Sequence, residues 1–127
     1  MRRTVLVALT VLALSVGVCA ASAVSVERAV RGAEGLLQQS VQAARLGDEA
    51  RAGQAAQALY AMWLERERVL ELLTSHDALS EIRGGIEDAL LCLERGEALE
   101  FARAMAGVRV GLERLRMAEA VRLMNLF

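Results

Sequence analysis

Hydrophobic residues recur along most of this chain at steps of three and four, which is the spacing of one face of an α-helix. One such series is Val30, Ala33, Leu37, Val41 and Ala44, a second is Leu79, Ile82, Ile86, Leu90 and Leu93, and a third is Phe101, Met105, Val108, Leu112 and Leu115. The sequence contains no Pro, so the strongest helix breaker is absent. The pattern predicts an all-α fold.

Residues that stop helices divide this pattern into hairpins. Gly47-Asp48 and Gly96-Glu97 each place a Gly where a helix ends and an acid where the next one begins, and these residue types suit the two positions. Between them, Thr74-Ser75-His76-Asp77 matches a capping box, with an acid three residues after Thr. We expect an antiparallel bundle of three to four helices, with boundaries near Ser25, Gly47, Glu49, Leu73, Arg95 and Gly96.

A weak internal repeat fits this layout. A constant shift along the sequence pairs Val30 with Leu79, Leu37 with Ile86 and the Gly47 stop with the Gly96 stop. Duplication of one helical hairpin is one explanation. The other is that both halves share helix periodicity and a similar stop signal, and the two explanations have equal weight.

The uncharged residues Thr4 to Val24 form a separate N-terminal segment. This run matches the ~20 residues that a helix needs to cross a bilayer, and Arg2-Arg3 before it favour an N-terminus in the cytoplasm. Ser25 can cap the helix that follows, although no Gly or Pro lies between Val18 and Arg31 to separate the two helices. We therefore assign residues 1–24 to a membrane anchor or signal segment and residues 25–127 to an extracytoplasmic helical domain.

The N-terminal segment has two interpretations. If it is retained, it is a single-pass anchor in the cytoplasmic membrane, with the N-terminus inside and the C-terminal domain outside. If it is cleaved, it is a signal peptide, with Ala21-Ser22-Ala23 as an A-x-A site and cleavage after Ala23. The sequence alone favours neither interpretation.

Three residues are weak candidates for a binding site: Trp63, His76 and Asn125. Trp63 with Tyr60 would make a binding patch if exposed, but aromatic residues at helical spacing more often belong to a core. His76 is the only His, and a metal site needs several converging ligands, so we expect this residue to sit in the hairpin turn and help to cap a helix. Asn125 belongs to the apolar C-terminus, residues 120–127, which we expect to dock on the bundle.

The charged residues favour a solvated surface over a chemical site. Glu65, Glu67 and Glu71 are interleaved with Arg66 and Arg68, as on an exposed helix face rather than in a cation site. The 15 basic residues are all Arg and are balanced by 16 acids, so we expect no nucleic-acid partner. The sequence has no Gly-rich phosphate loop, no nucleophile pattern and no paired His. We therefore expect no catalytic residue, no metal and no cofactor, and we do not expect an enzyme.

Taken together, the distinctive residues resemble a known family. An apolar N-terminal segment precedes a helix with Trp63, then His76 before an Ile-rich helix, a Gly96-Glu97-Ala98 restart and a closing Asn125-Leu126-Phe127. Over nearly the whole chain this pattern resembles the small bacterial membrane-anchored proteins grouped as domain of unknown function 4363. The resemblance implies a single-span anchor with a short extracytoplasmic helical domain, and it implies no activity.

These observations predict a structural or interaction protein. An anchored helical bundle would bind or stabilise a partner membrane protein, since paired helices offer grooves for partner helices. The alternative is a secreted module, released by cleavage after Ala23, that binds a small ligand in a pocket between helices. An enzyme that uses His76 with Asp77 or Glu71 is a third hypothesis without a supporting pattern. The sequence leaves open whether the helices close within one chain or pair in a homo-oligomer.

Overall fold

The computed structural model describes residues 1–126, which form four α-helices joined by short turns. The helices are α1 (Arg2–Arg45), α2 (Glu49–Leu70), α3 (His76–Glu94) and α4 (Ala98–Leu126). Each helix packs against two neighbours in the cyclic order α1, α2, α3, α4, and diagonal helices stay apart. The chain is therefore an up-and-down antiparallel bundle, and the predicted all-α fold is confirmed.

The core of the bundle collects the apolar faces that the spacing predicted. The helical series on α1, α3 and α4 form one cluster with four buried residues of α2, namely Ala56, Leu59, Trp63 and Leu70. α2 places the small Ala52 and Ala56 in the core. The positions that correspond to them in the internal repeat are Phe101 and Met105 on α4, which are also buried. Small side chains on one helix thus accompany large ones on the diagonally opposite helix, which helps to fill the interior evenly.

α1 is a single helix that begins in the apolar segment and ends in the bundle. Ser25 lies half-buried inside it, so the expectation that Ser25 caps a new helix is wrong. Without Gly or Pro between Val18 and Arg31, nothing in the sequence interrupts the backbone hydrogen bonds. Packing against the bundle starts at the buried Ser22, whereas the side chains before Cys19 are exposed.

Two turns follow the predicted Gly stops. Gly47 and Gly96 have φ values of +77° and +71°, a left-handed conformation that glycine adopts without a steric penalty. After each Gly, the N–H of Asp48 or Glu97 donates to a carbonyl five residues earlier at 2.9 Å, which closes a Schellman motif. Asp48 is the N-cap of α2, so the predicted Gly stops at Gly47 and Gly96 are both confirmed.

The turn between α2 and α3 differs from its prediction at the end of α2. This helix stops at Leu70 rather than Leu73, and the N–H groups of Leu73 and Thr74 both donate to the carbonyl of Leu70. Leu70 is the last core residue of α2, whereas Leu72 is 86% exposed. The helix therefore ends at its last fully buried residue.

The start of α3 also differs from its prediction. His76 is the first helical residue, and the N-cap is Ser75, whose side chain makes no capping hydrogen bond. The predicted capping box that starts at Thr74 is therefore wrong, because the helix begins one residue later than that pattern requires. At its other end α3 stops at Glu94, one residue before the predicted Arg95.

The last turns of α4 do not dock as expected. Met124 is 77% exposed, Asn125 is exposed and Leu123 is half-buried, so the prediction of a docked C-terminus is wrong for Met124 and Asn125. Arg122 reaches the α2–α3 turn, so the residues after it lie beyond the ends of α2 and α3, while α1 continues past this point. The side chain of Leu126 and all of Phe127 lie outside the described residues.

Candidate functional site

The first candidate feature is the projecting N-terminal part of α1. Its apolar side chains are exposed, and they include Val5, Leu6, Leu9, Leu12, Leu14 and Val18. Within residues 1–126, this is the one helix long and apolar enough to cross a membrane. Exposed apolar surfaces of this size are typical of segments that contact lipid or protein, and N-terminal signal sequences share this length and composition.

The junction between the projecting segment and the bundle is polar and buried. The hydroxyl of Ser22 donates to Glu119 Oε1 at 2.6 Å, and both residues are buried. Arg122 donates to Glu119 Oε2 at 3.3 Å and to the carbonyl of Leu73 at 2.7 Å. These bonds tie α1, α4 and the α2–α3 turn together at one end of the bundle.

A charged network next to the junction holds α1 against α4. Arg116 donates to Glu27 at 3.0 Å, to Glu34 at 3.3 Å and to Glu113 at 2.9 Å. Burial alone would lower the pKa of Arg116, but Glu34 and Glu27 raise it above its ordinary value. Burial alone would raise the pKa of Glu27, but hydrogen bonds from Arg31 and Arg116 lower it below its ordinary value.

The Arg116 network does not follow from the sequence patterns, although part of its signal is present in them. Glu27 and Glu34 are seven residues apart and therefore share one face of α1. Their partner is on a helix that comes much later in the chain, and no local spacing identifies which of the Arg residues would meet them.

The second candidate feature is a groove of about 480 Å³ between α1 and α4, at the end of the bundle far from the projecting segment. Its apolar lining includes Leu37, Val41, Phe101, Met105 and Val110. The polar lining consists of Gln38, Gln42, Arg45 and Arg109, so the charged groups at the groove are positive. An apolar floor with a basic rim suits a ligand that is apolar on one side and acidic at its edges.

Trp63, the strongest aromatic candidate, belongs to the core. Its side chain is 0% exposed, and Nε1 donates to the carbonyl of Leu79 on α3 at 3.4 Å. Tyr60 is half-buried, and its hydroxyl donates to Glu87 at 3.2 Å. A binding patch centred on Trp63 is therefore wrong, and the expectation of a core residue is confirmed.

His76 and Asn125 lie at the same end of the bundle as the junction, and both are exposed. His76 Nδ1 lies 3.3 Å from a carboxylate oxygen of Glu71, and Nε2 lies 3.4 Å from the hydroxyl of Ser80. His76 starts α3 but does not cap it, because the N-cap is Ser75. The structure thus brings His76 and Glu71 together on the surface, apart from Trp63.

The acidic cluster on α2 divides between core and solvent. Glu65 and Glu71 are exposed, whereas Glu67 is buried and accepts from Arg83 on α3 at 3.1 Å. The expectation of a solvated face is therefore wrong for Glu67. No group of His, Cys, Asp or Glu in residues 1–126 is arranged to hold a metal ion.

Comparisons of this chain with protein-family models, with curated proteins and with solved structures give no match. What the fold and the site define is an architectural class: a four-helix bundle whose first helix extends as a long apolar segment. The resemblance to domain of unknown function 4363 stays a prediction.

Proposed function

We propose that this protein is a membrane-anchored interaction module. The apolar part of α1 crosses the cytoplasmic membrane once, and the bundle lies on the outer side and binds a partner membrane protein. The observation that carries the proposal is the continuity of α1, whose exposed apolar turns lead without a break into the buried Ser22. The same architecture agrees with the family resemblance, which implies an anchored extracytoplasmic helical domain.

The charges along α1 support the orientation. Arg2 and Arg3 precede the apolar run, and the next charged residue is Glu27. Positive residues at the start of a spanning helix favour the cytoplasmic side. The N-terminus is then inside, and the bundle is outside.

The junction supports retention of the anchor. The A-x-A site, Ala21-Ser22-Ala23, is part of a helix, and Ser22 packs against Glu119. Cleavage after Ala23 would remove the hydroxyl that donates to this buried carboxylate.

The groove between α1 and α4 is the proposed partner site. Val41 lies nineteen residues beyond Ser22 on the same helix, which places the groove about 30 Å from the junction at 1.5 Å per residue. A continuous helix holds it at this height above the bilayer. The apolar floor and the basic rim of Arg45 and Arg109 suit an amphipathic helix with acidic residues beside its apolar face.

The anchor is tested by the mass and membrane partition of the full chain expressed in a bacterium. We expect the full-length mass in the membrane pellet, resistant to washes with high salt and alkaline carbonate. A soluble extracytoplasmic product that begins at Val24 would contradict the anchor. It would favour the second candidate function, a secreted module.

The groove is tested on the purified full chain with two amphipathic helical peptides that share an apolar face. One peptide carries flanking Glu residues and the other carries flanking Lys residues. We expect tighter binding of the acidic peptide, and loss of this binding in Val110→Glu, where a side chain 50% exposed at the groove becomes an acid. Leu91→Glu is the matched control, because Leu91 is 43% exposed on α3, away from the groove. Equal binding of both peptides, or equal loss in both variants, would contradict the assignment.

A second candidate function uses the same groove. Its volume of about 480 Å³ falls within the range of ~300–1,000 Å³ that small-molecule pockets occupy. A secreted chain released after Ala23 would then bind an apolar ligand there. The mass measurement separates the two functions, because this one requires a soluble product.

A further inference from the structure

One end of the bundle is built from three parts of the chain that the sequence separates widely. Ser22 on α1 donates to Glu119 on α4, and Arg122 on α4 donates to the carbonyl of Leu73 in the α2–α3 turn. These contacts place the α2–α3 turn and the last turns of α4 beside α1 at the point where the apolar segment leaves the bundle.

This end exposes large apolar side chains. Leu72 in the turn is 86% exposed, and on the last turns of α4 Val121 is 54% and Met124 is 77% exposed. They do not contribute to the core cluster. Among the charged groups at this end, Arg122 pairs with Glu119, and a carboxylate oxygen of Glu71 lies 3.3 Å from Nδ1 of His76.

The positions of charges on α1 set the depth of this end relative to a bilayer. α1 carries no charge between Arg3 and Glu27, a distance of about 36 Å along a helix, compared with about 30 Å for the hydrocarbon core of a membrane. Glu27 marks the outer end of this uncharged span. Ser22, which is level with the end of the bundle, lies five residues before Glu27. The end of the bundle therefore reaches the boundary between headgroups and acyl chains.

We propose that this end of the bundle is a lipid-docking surface, in which Leu72, Val121 and Met124 insert into the outer leaflet at the level of the headgroups. The inference rests on the proposed anchor, and the occupant is the bilayer itself because the surface is continuous with the membrane-crossing part of α1. Apolar side chains at this level gain from burial in the headgroup–acyl boundary, while Thr74 and Ser75 in the α2–α3 turn stay among polar headgroups. The bundle is then held upright on the membrane by two contacts, the helix that crosses it and the end that rests in it.

The test uses the full chain in phosphatidylcholine–phosphatidylglycerol vesicles, with Cys19→Ala and Cys92→Ala removing the native thiols. Single variants Leu72→Cys, Leu46→Cys and Leu9→Cys carry an environment-sensitive fluorophore, and lipids brominated on their upper acyl carbons act as the quencher. Leu46 is the matched control, because it lies in the α1–α2 turn at the opposite end and is 85% exposed. Leu9 reports on the anchor.

We expect the labels at Leu9 and Leu72 to lose most of their fluorescence and the label at Leu46 to keep it. If Leu9 is quenched while Leu72 behaves like Leu46, the docking surface is overturned and the anchor stands. If neither Leu9 nor Leu72 is quenched, the anchor and the docking surface are both overturned.

Discussion

The hydroxyl of Ser22 donates a hydrogen bond of 2.6 Å to the carboxylate of Glu119, although 97 residues separate them in the chain. Both groups are buried, so Ser22→Ala leaves an acceptor without its partner at the junction of α1 and α4. We expect the free energy of unfolding to fall by about 1–3 kcal/mol, measured by urea denaturation in detergent micelles. Ser25→Ala is the control, because Ser25 lies inside α1 and caps no helix. Equal losses of unfolding free energy in both variants would mean that the hydrogen bond of Ser22 makes no specific contribution to stability.

Trp63 fills the core between α2 and α3. Since its side chain is 0% exposed, Trp63→Ala should lower the free energy of unfolding by about 3–5 kcal/mol, the cost of a large cavity. Leu64→Ala, at the neighbouring and partly exposed position, should cost much less. A near-zero loss for Trp63→Ala in thermal unfolding would contradict the burial of this ring in the core.

Two adjacent glycines of α3 should respond in opposite ways to the same substitution. A Cβ at Gly85 would lie 2.8 Å from Cγ2 of Val108, whereas a Cβ at Gly84 would meet nothing within 4 Å. Val108 is β-branched and cannot rotate away easily, so α4 must move. We expect Gly84→Ala to stabilise the fold by about 0.5–1 kcal/mol and Gly85→Ala to destabilise it by about 1–3 kcal/mol. Stabilisation by both, in chemical denaturation, would show that the close α3–α4 approach is not constraining.

The pair of Glu67 and Arg83 should show strong coupling. Glu67 Oε2 accepts from Arg83 at 3.1 Å, and its Oε1 is buried without a hydrogen-bond partner. Arg83→Met therefore leaves a buried carboxylate unpaired and should cost about 1–3 kcal/mol. Adding Glu67→Met should recover most of this loss, because apolar replacement of both partners is often neutral. A double-mutant cycle measures the coupling, and simple additivity would argue against it.

The contact between Glu27 and Arg116 should make stability depend on acid pH. The pKa of Glu27 is lowered from its ordinary value of 4.5, so its contribution is present above that value and is lost as the pH falls through the lower folded-state pKa. Glu27→Gln should lower the melting temperature at neutral pH, and the difference from wild type should shrink below pH 4.5. Glu65→Gln, at an exposed position on α2, should show no such trend. A difference that is constant with pH would contradict the ion pair.

Much of the fold follows from local features of the sequence. The steps of three and four placed Leu79, Ile82 and Ile86 on a buried face, because a helix that packs on a core must present its apolar side chains together. The glycines at 47 and 96 ended their helices because glycine adopts positive φ without a steric penalty. Each of these signals acts within one or two helical turns, so each is visible in the sequence.

The structural features that local sequence patterns do not predict depend on contacts between distant segments of the chain. Glu67 occurs in an alternating charged stretch that is typical of a solvated surface, yet it is buried because α3 brings Arg83 to it. Thr74 matched a capping box, but the end of the α2 core at Leu70 shifted the turn. The groove between α1 and α4 combines residues from the first and last helices, and no local spacing predicts such a pairing.

The sequence by itself determined which residues form helices, where two of the turns fall, and that the N-terminal segment is long and apolar enough to cross a membrane. Hydrogen bonding within a helix and the apolar periodicity are local, so neighbouring residues suffice to specify them. Only the tertiary structure decided that the bundle begins at Ser22, that Arg116 holds α1 to α4, and that Leu72 and Met124 share one end. These relationships depend on which helix faces meet, and packing of the whole core selects that arrangement.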